Sequence, residues 1–316
     1  MRIETKRITI GEDEANVRLD VYLTERFEKF SRNEWQKRIS EGAIRVNGFA
    51  ARASRKMNAG DIVEFSYTMP AEPEVDTTIE VLFEDDDYLV VNKPPGLPVH
   101  PSGIYKTRTV VTVLVERGIL SEPHLLHRLD RETSGVLALA KNRTAAARFQ
   151  KVLRAGGIVK EYLVAVEGDF PAELGARGVI YRMPGSKLPR QRFYKEGNPP
   201  AEALEAQVCH THFALKMRHN AMSLVHARLF TGRMHQIRAT VHSLGYPVVG
   251  DKLYGVDESL YFKFADGEMS AAEWSKLRIA RSALHCAMLT LEHPVRHNPW
   301  KLEAPLPADM RQLFPE

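Results

Sequence analysis

Asp130 is the side chain best suited to do chemistry. It stands in the run His127-Arg128-Leu129-Asp130-Arg131-Glu132-Thr133-Ser134-Gly135, with a guanidinium group on either side. Nearby positive charge favours the ionised form of a carboxyl. A carboxylate that stays charged at neutral pH serves as a nucleophile or as a stabiliser of developing charge, not as a proton donor. On charge pattern alone the run is also that of a structural ion pair in a loop, which perturbs a carboxyl in the same way. A second cluster, Thr231-Gly232-Arg233-Met234-His235-Gln236-Ile237-Arg238, reads as the opening of a helix. Arginines at both ends of one turn beside a helix start make an anion site.

Periodicity indicates the elements that hold these groups. Leu125 and Leu126 lead into the first cluster, Thr133-Ser134-Gly135 make a turn, and the apolar run 136–140 is short enough for a buried strand. Behind the second cluster, Met234, Ile237, Val241 and Leu244 share one helical face, which Gly245 ends. Strands are expected at 79–83, 88–92, 160–166, 223–230 and 284–291, and helices at 107–118 and 144–153. The stretch from Lys93 to Gly103 has four prolines and two glycines and reads as a rigid loop. Residues 170–200 carry Arg182, Lys187, Arg190, Arg192 and Lys195 and read as a basic hairpin or loop able to track phosphates.

The first seventy residues form a module of their own. A leading strand and loop cover 1–16, and residues 18–27 show Leu19, Tyr22, Leu23 and Phe27 at helical spacing. Ser31-Arg32-Asn33-Glu34 is a capping box, so a second helix starts at about Arg32, with Trp35 and Ile39 on its apolar face. A strand at 44–46, a tight Asn47-Gly48 turn and a closing strand at 61–65 follow. Between positions 32 and 56 seven basic residues (Arg32, Lys37, Arg38, Arg45, Arg52, Arg55, Lys56) face only Glu34 and Glu41. That local excess of +5 exceeds the +4 of the whole chain and is an electrostatic footprint for nucleic acid. Residues 69–78, with two prolines, three acids and few apolar side chains, read as a linker.

Composition narrows the classes. The 316 residues suit one large domain or two unequal ones, and 44% apolar with 27% charged residues is ordinary for a globular protein. No apolar run approaches the roughly 18 residues of a membrane span. Met1 to Ile10 lack the apolar core of a signal peptide. Two distant cysteines, Cys209 and Cys286, argue against a disulfide framework and fit a reducing cytoplasm. Cys209, His210 and His212 share one expected strand, whose neighbours point to opposite faces, so no metal is expected there. Neither a P-loop nor a GxGxxG after a strand occurs, so no nucleotide cofactor is expected.

Taken together, HRLDRETSG before its apolar strand, NKPPGLPVHP (92–101), KEYLVAV (160–166), TGRMHQIR (231–238) and GYPVVGDKLYG (245–255) resemble the RluA-type RNA pseudouridine synthases. The pattern RLDVYL…SRNEWQKRISEGAIRVNG resembles an S4 RNA-binding domain. The resemblance implies a two-domain α+β protein. An S4-like RNA-binding domain covers 1–70, a linker 71–78, and a catalytic domain with a mixed, mostly antiparallel sheet flanked by helices covers 79–316. It makes Asp130 the catalytic residue, sets Tyr162 against the target base, and pairs Asp130 with an arginine of TGRMHQIR. Arg238 is favoured for that pairing and Arg233 for orienting the loop or the RNA, though the sequence does not separate them. Arg128, beside Asp130, would enter the space an extruded base vacates, while His127 and Lys93 are further candidates for substrate contact. The isomerisation is redox-neutral and needs no cofactor. S4-bearing relatives act mostly on large-subunit ribosomal RNA and some on tRNA, and the stretch Val99 to Tyr105 also occurs in tRNA-modifying members. A monomer is expected. A hydrolase reading lacks a partner carboxylate. A non-catalytic RNA-binding or ribosome assembly protein would be expected to have altered Asp130, Tyr162 or Arg238. Residues 256–280 match the family poorly.

Overall fold

The computed structural model describes residues 2–27, 30–69, 71–184, 188, 190–195 and 199–315, and the chain divides into two compact units, Met1–Pro73 and Glu74–Glu316.

In the first unit the strands run in the order Arg2–Thr9, Ile62–Met69, Ile44–Val46, Phe49–Ala50, all antiparallel. Helices Leu19–Arg26 and Arg32–Ser40 complete it, and Leu19, Leu23, Trp35, Ile39 and Val46 form its core. The Ser31 hydroxyl accepts from the Glu34 N–H and the Glu34 carboxylate takes the Ser31 N–H, so both halves of the capping box are made. Asn47 and Gly48 both have positive φ (54° and 82°), as a two-residue hairpin requires. The closing strand runs to Met69, whose partner is Arg2, so the stretch expected as linker begins inside a strand. Its cause is non-local, a ladder to the other end of the unit. Pro70 lies outside the described residues. Val75 and Ile79 already pack on the core of the second unit.

The second unit is built on one large mixed sheet, as expected. Its strand order is Arg192–Lys195, Glu173–Arg182, Leu204–His219, Met222–Leu229, Ile158–Glu167, Leu284–Glu292, Ser134–Ala140, Tyr88–Lys93, Glu80–Glu84. Among these pairings only that of Leu284–Glu292 with Ser134–Ala140 is parallel. All seven residues of Ser134–Ala140 are buried. Helices Arg143–Arg154 and Gln236–Ser243 carry buried faces, and none of the described helices is long and apolar enough to cross a membrane. Cys286 is the register partner of both Gly135 and Tyr162, so one strand holds the loop of Asp130 and the strand of Tyr162 side by side. Gly135 has φ 108°, and a Cβ there would collide with the Cys286 carbonyl. Only glycine lets the chain leave the Asp130 loop and enter the sheet this closely.

Two details differ from expectation. The helix of the second cluster starts at Gln236, with His235 before it in the left-handed region, so Met234 is outside it and 54% exposed. The Gln236 amide is responsible: its oxygen accepts from the Arg233 N–H and from Thr231 Oγ1, which closes 231–235 as a loop. Strands Glu173–Arg182 and Arg192–Lys195 pair antiparallel, but Arg190 is buried in an ion pair with Glu258, and Arg182 pairs with Glu205. Lys187 lies outside the described residues.

Candidate active site

Asp130 is held by a strapped loop. Leu126 N–H donates to Ala138 O, and Ala138 N–H donates to His127 Nε2 at 3.1 Å. Gly96 N–H and Lys93 Nζ both donate to Arg131 O, and Thr133 N–H donates to Asp130 O. These bonds hold the carboxylate where its side chain keeps 30% exposure.

Its charge partner comes from the second cluster. Arg238 Nη1 donates to Asp130 Oδ2 at 2.8 Å, while Nε and Nη2 grip both oxygens of Asp251 at 2.6 and 3.0 Å. Asp251 is fully buried and also accepts from the Leu253 and Tyr254 N–H groups. The planar guanidinium therefore bridges two carboxylates, and its third side is the Tyr254 ring, 4.9 Å from the centroid. Burial pushes the Asp130 carboxyl up, but the Arg238 charge, His235 and the Arg238 hydrogen bond together outweigh it, so the group lies below the usual carboxylate value. Asp251 likewise resists burial through Arg238 and falls to about 2. His235 Nε2 lies 3.9 Å from Asp130 Oδ1. The Tyr254 hydroxyl accepts from the Gln191 N–H, so its own proton is available to His235 Nδ1 at 3.0 Å. A neutral His235 then carries its proton on Nε2, toward Asp130. Burial favours that neutral form.

Tyr162 faces the same space. It is 7% exposed and lines a cavity of about 650 Å³ with Asp130, Leu126, Lys160, Leu229 and Ile237. That volume is in the range of small-ligand sites. Burial first, and the neighbouring Cys286 thiol second, hold the Tyr162 hydroxyl well above 10. Lys160, two residues back on the same strand face, lines the cavity too, its ammonium pushed down by burial. Its i, i+2 spacing from Tyr162 was a signal for it in the sequence. His235 and Asp251 carried no such signal.

The other candidates separate cleanly. Arg128 is exposed at the cavity, and its guanidinium makes no hydrogen bond or ion pair among the described residues. Arg131 turns away from Asp130 to Glu132 and the Tyr105 hydroxyl. Arg233 lines the cavity but donates to Val208 O, so the pairing with Asp130 belongs to Arg238. One expectation needs correction. Lys93 is wholly buried, its Nζ donating to the carbonyls of Pro94, Leu97 and Arg131; it ties the loop from beneath and reaches no phosphate. His127 lines the cavity, but its Nε2 is taken by the backbone and burial depresses it to about 3, so it is a neutral prop of the loop. In the first unit Arg32 pairs with Asp20, Lys37 with Glu41 and Arg55 with Asp61, and Arg38 covers the Phe30 ring. Arg45, Arg52 and Lys56 are exposed and make no ion pair among the described residues.

Residues 87–243 match the family model described as RNA pseudouridylate synthase. The chain is 32% identical, over 98% of its length and 92% of the relative, to a Xylella fastidiosa protein named ribosomal large subunit pseudouridine synthase D. It is 31% identical, over 97% of its length and 96% of the relative, to a Bacillus subtilis protein named uncharacterized RNA pseudouridine synthase YlyB. Its fold is similar to that of human RNA pseudouridylate synthase domain containing 4, with 26% identity and a TM-score of 0.54 over 74% of this chain and 91% of that one.

Proposed function

The chain belongs to the RNA pseudouridine synthases, and from that premise we propose that Asp130 is its nucleophile and large-subunit ribosomal RNA its substrate. The enzyme isomerises uridine in RNA to pseudouridine. One observation carries the assignment of the site: an ionised Asp130, bridged through Arg238 to Asp251, beside a cavity shared with Tyr162.

A uridine inside RNA structure must be extruded to react, at an unstacking cost of a few kcal/mol. Arg128, the exposed cation beside Asp130, takes the vacated space and meets phosphate. The Asp130 carboxylate attacks C1′, the C1′–N1 bond breaks, and uracil leaves with the electron pair on N1. The uracil turns in the cavity, C5 bonds to C1′, and the carboxylate is released. The C5 proton is removed and N1 is protonated, so atoms and electrons balance with no co-reactant. Arg238 keeps Asp130 ionised and aimed. The Tyr162 ring packs on the base and its hydroxyl handles the C5 proton; burial makes the phenolate scarce but strongly basic when formed. The Met1–Pro73 unit acts as an S4-like module whose unpaired cations grip the RNA backbone. The names of the relatives support ribosomal RNA of the large subunit as the target, and we propose that the enzyme works there as a cytoplasmic monomer.

Mapping pseudouridine across total RNA from a deletion strain tests this reading. Loss of pseudouridine in large-subunit ribosomal RNA, restored by the wild-type chain and not by Asp130→Asn, is the expected result. Loss confined to tRNA would overturn the substrate, and no loss in any RNA would overturn the whole reading.

A further inference from the structure

Asp130 borders two cavities. The second, about 450 Å³, shares Asp130, His235 and Arg238 with the first and is also lined by Tyr261 and Phe264 of helix Ser259–Asp266. Its volume is again within the roughly 300–1,000 Å³ of small-ligand sites. Four cationic side chains (Arg128, Arg131, Lys252, Arg238) and three carboxylates (Asp130, Glu132, Asp251) line it. Every carboxylate is already bonded to a cation: Asp130 and Asp251 to Arg238, and Glu132 to Lys252 and Arg131. Arg128 is left over, exposed and without an ion pair among the described residues. The Phe264 ring is fixed by two cations, with Lys252 Nζ 4.8 Å and the Arg131 guanidinium 5.5 Å from its centroid. Tyr261 is half-buried and packs against the cluster of Leu253 and Tyr254. The cavity therefore offers a spare cation for one anion and an aromatic wall for one planar group. That pair of features is what single-stranded nucleic acid meets in a protein groove.

We infer that this second cavity holds the nucleotide adjoining the target uridine, with its base against Tyr261 and Phe264 and its phosphate at Arg128. The inference rests on the reading of Asp130 given above and adds a source of sequence preference to it. Tyr261 and Phe264 lie in the segment 256–280, which matches the family poorly in sequence.

The test uses the full chain and a stem-loop RNA carrying the mapped uridine, tritiated at C5, with natural neighbours or with the 5′ or the 3′ neighbour made abasic. Wild type should lose about 5- to 150-fold in kcat/KM on one of the two abasic RNAs, the worth of one base stacked on an aromatic ring. Tyr261→Ala should lose a similar factor on the natural RNA and nothing further on that abasic RNA, with kcat at saturation unchanged. Tyr261→Phe, which keeps the ring, should behave as wild type, and Phe264→Leu should repeat the Tyr261→Ala pattern. Abasic neighbours that cost wild type nothing, or that cost Tyr261→Ala as much as wild type, would overturn the inference while leaving Asp130 in place. No tritium release by wild type from any of these RNAs would instead remove the reading on which it rests.

Discussion

The two units of the chain use positive charge in opposite ways. In Met1–Pro73 the cations stand in water: the side chains of Arg32 and Lys37 are 50% and 77% exposed even where they meet acids. In Glu74–Glu316 the cations that hold the carboxylates of the site are buried and saturated, with side-chain exposures of 11% for Arg238 and 4% for Lys252, and Arg128 is the exposed exception. Lys93 goes furthest: burial, helped by Arg281 and Arg131 and opposed by Asp130 and Glu132, brings it down to about 7. Exposed ion pairs contribute about 0–1 kcal/mol and are screened by salt. Removing one partner of a buried pair costs about 3–5 kcal/mol, because the other charge is stranded. Charge in the first unit is thus a field for a polyanion, and charge in the second is a frame for one carboxylate.

The sharpest way to break that contrast is to remove the charge the frame exists for. Asp130→Asn should lower turnover by about 10⁴-fold or more, the scale of deleting a nucleophile. Folding and RNA affinity should hardly change, since Arg238 keeps its two bonds to Asp251. Tritium release from 5-tritiated uridine in RNA is the measurement, and activity within about tenfold of wild type would sink the assignment. Next in size is Tyr162→Phe, expected to cost roughly 10²–10⁴-fold in kcat, as the loss of a general acid–base group does, with binding little changed because the ring remains. Normal turnover would reduce Tyr162 to a packing residue.

Removing the bridge tests the frame itself. Arg238→Gln strands Asp130 and Asp251 without their cation and should destabilise the protein by about 3–5 kcal/mol, read by denaturant unfolding. The sign with pH follows from the depressed carboxyls. In wild type both Asp130 and Asp251 titrate below their unfolded values, so the stability they contribute is present above about pH 4 and fades as pH falls through their folded values. Activity of the wild type should therefore hold down to about pH 4 as far as Asp130 is concerned. In Arg238→Gln burial acts unopposed by that cation, and the acid limb of kcat/KM should move up toward neutral pH. An unmoved limb would mean that Arg238 is not what keeps Asp130 ionised.

How much of this was legible in the sequence depended on distance along the chain. The Ser31 capping box, the Asn47-Gly48 turn and the buried strand after Gly135 are local devices, and each lies where its residues indicated. That Asp130 is ionised was also anticipated, but from its chain neighbours, whereas Arg131 serves Glu132 and the governing charge is Arg238, 108 residues away. Asp251 and His235 matter only because the fold brings them to Arg238 and Asp130, and no spacing encodes that. Lys93 misled for a related reason: composition marks lysine as a surface residue, and only the folded loop reveals the three carbonyls that hold it.

The smallest effect is expected in the first unit, and it separates that unit's cations from one another. Arg45, Arg52 and Lys56 are exposed and make no ion pair among the described residues, whereas Arg55 is tied to Asp61. An unpaired surface cation is free to displace a counterion from RNA; a paired one must first leave its carboxylate. Each phosphate contact contributes about 0.7–0.9 to the slope of log K against log salt. Changing Arg45, Arg52 and Lys56 to alanine together should flatten the slope by about two, with kcat at saturating RNA and the unfolding midpoint unchanged. Arg55→Ala should do the reverse. It leaves Asp61, whose side chain is 8% exposed, with its bonds from Asn47 and Asn58 but without its cation, and so should lower stability slightly while leaving the salt slope close to wild type. Titration of a fluorescent large-subunit RNA fragment at four or more salt concentrations reads the slope directly. If the triple variant keeps the wild-type slope, the exposed cations of Met1–Pro73 do not face RNA, and the unit's charge serves some other partner.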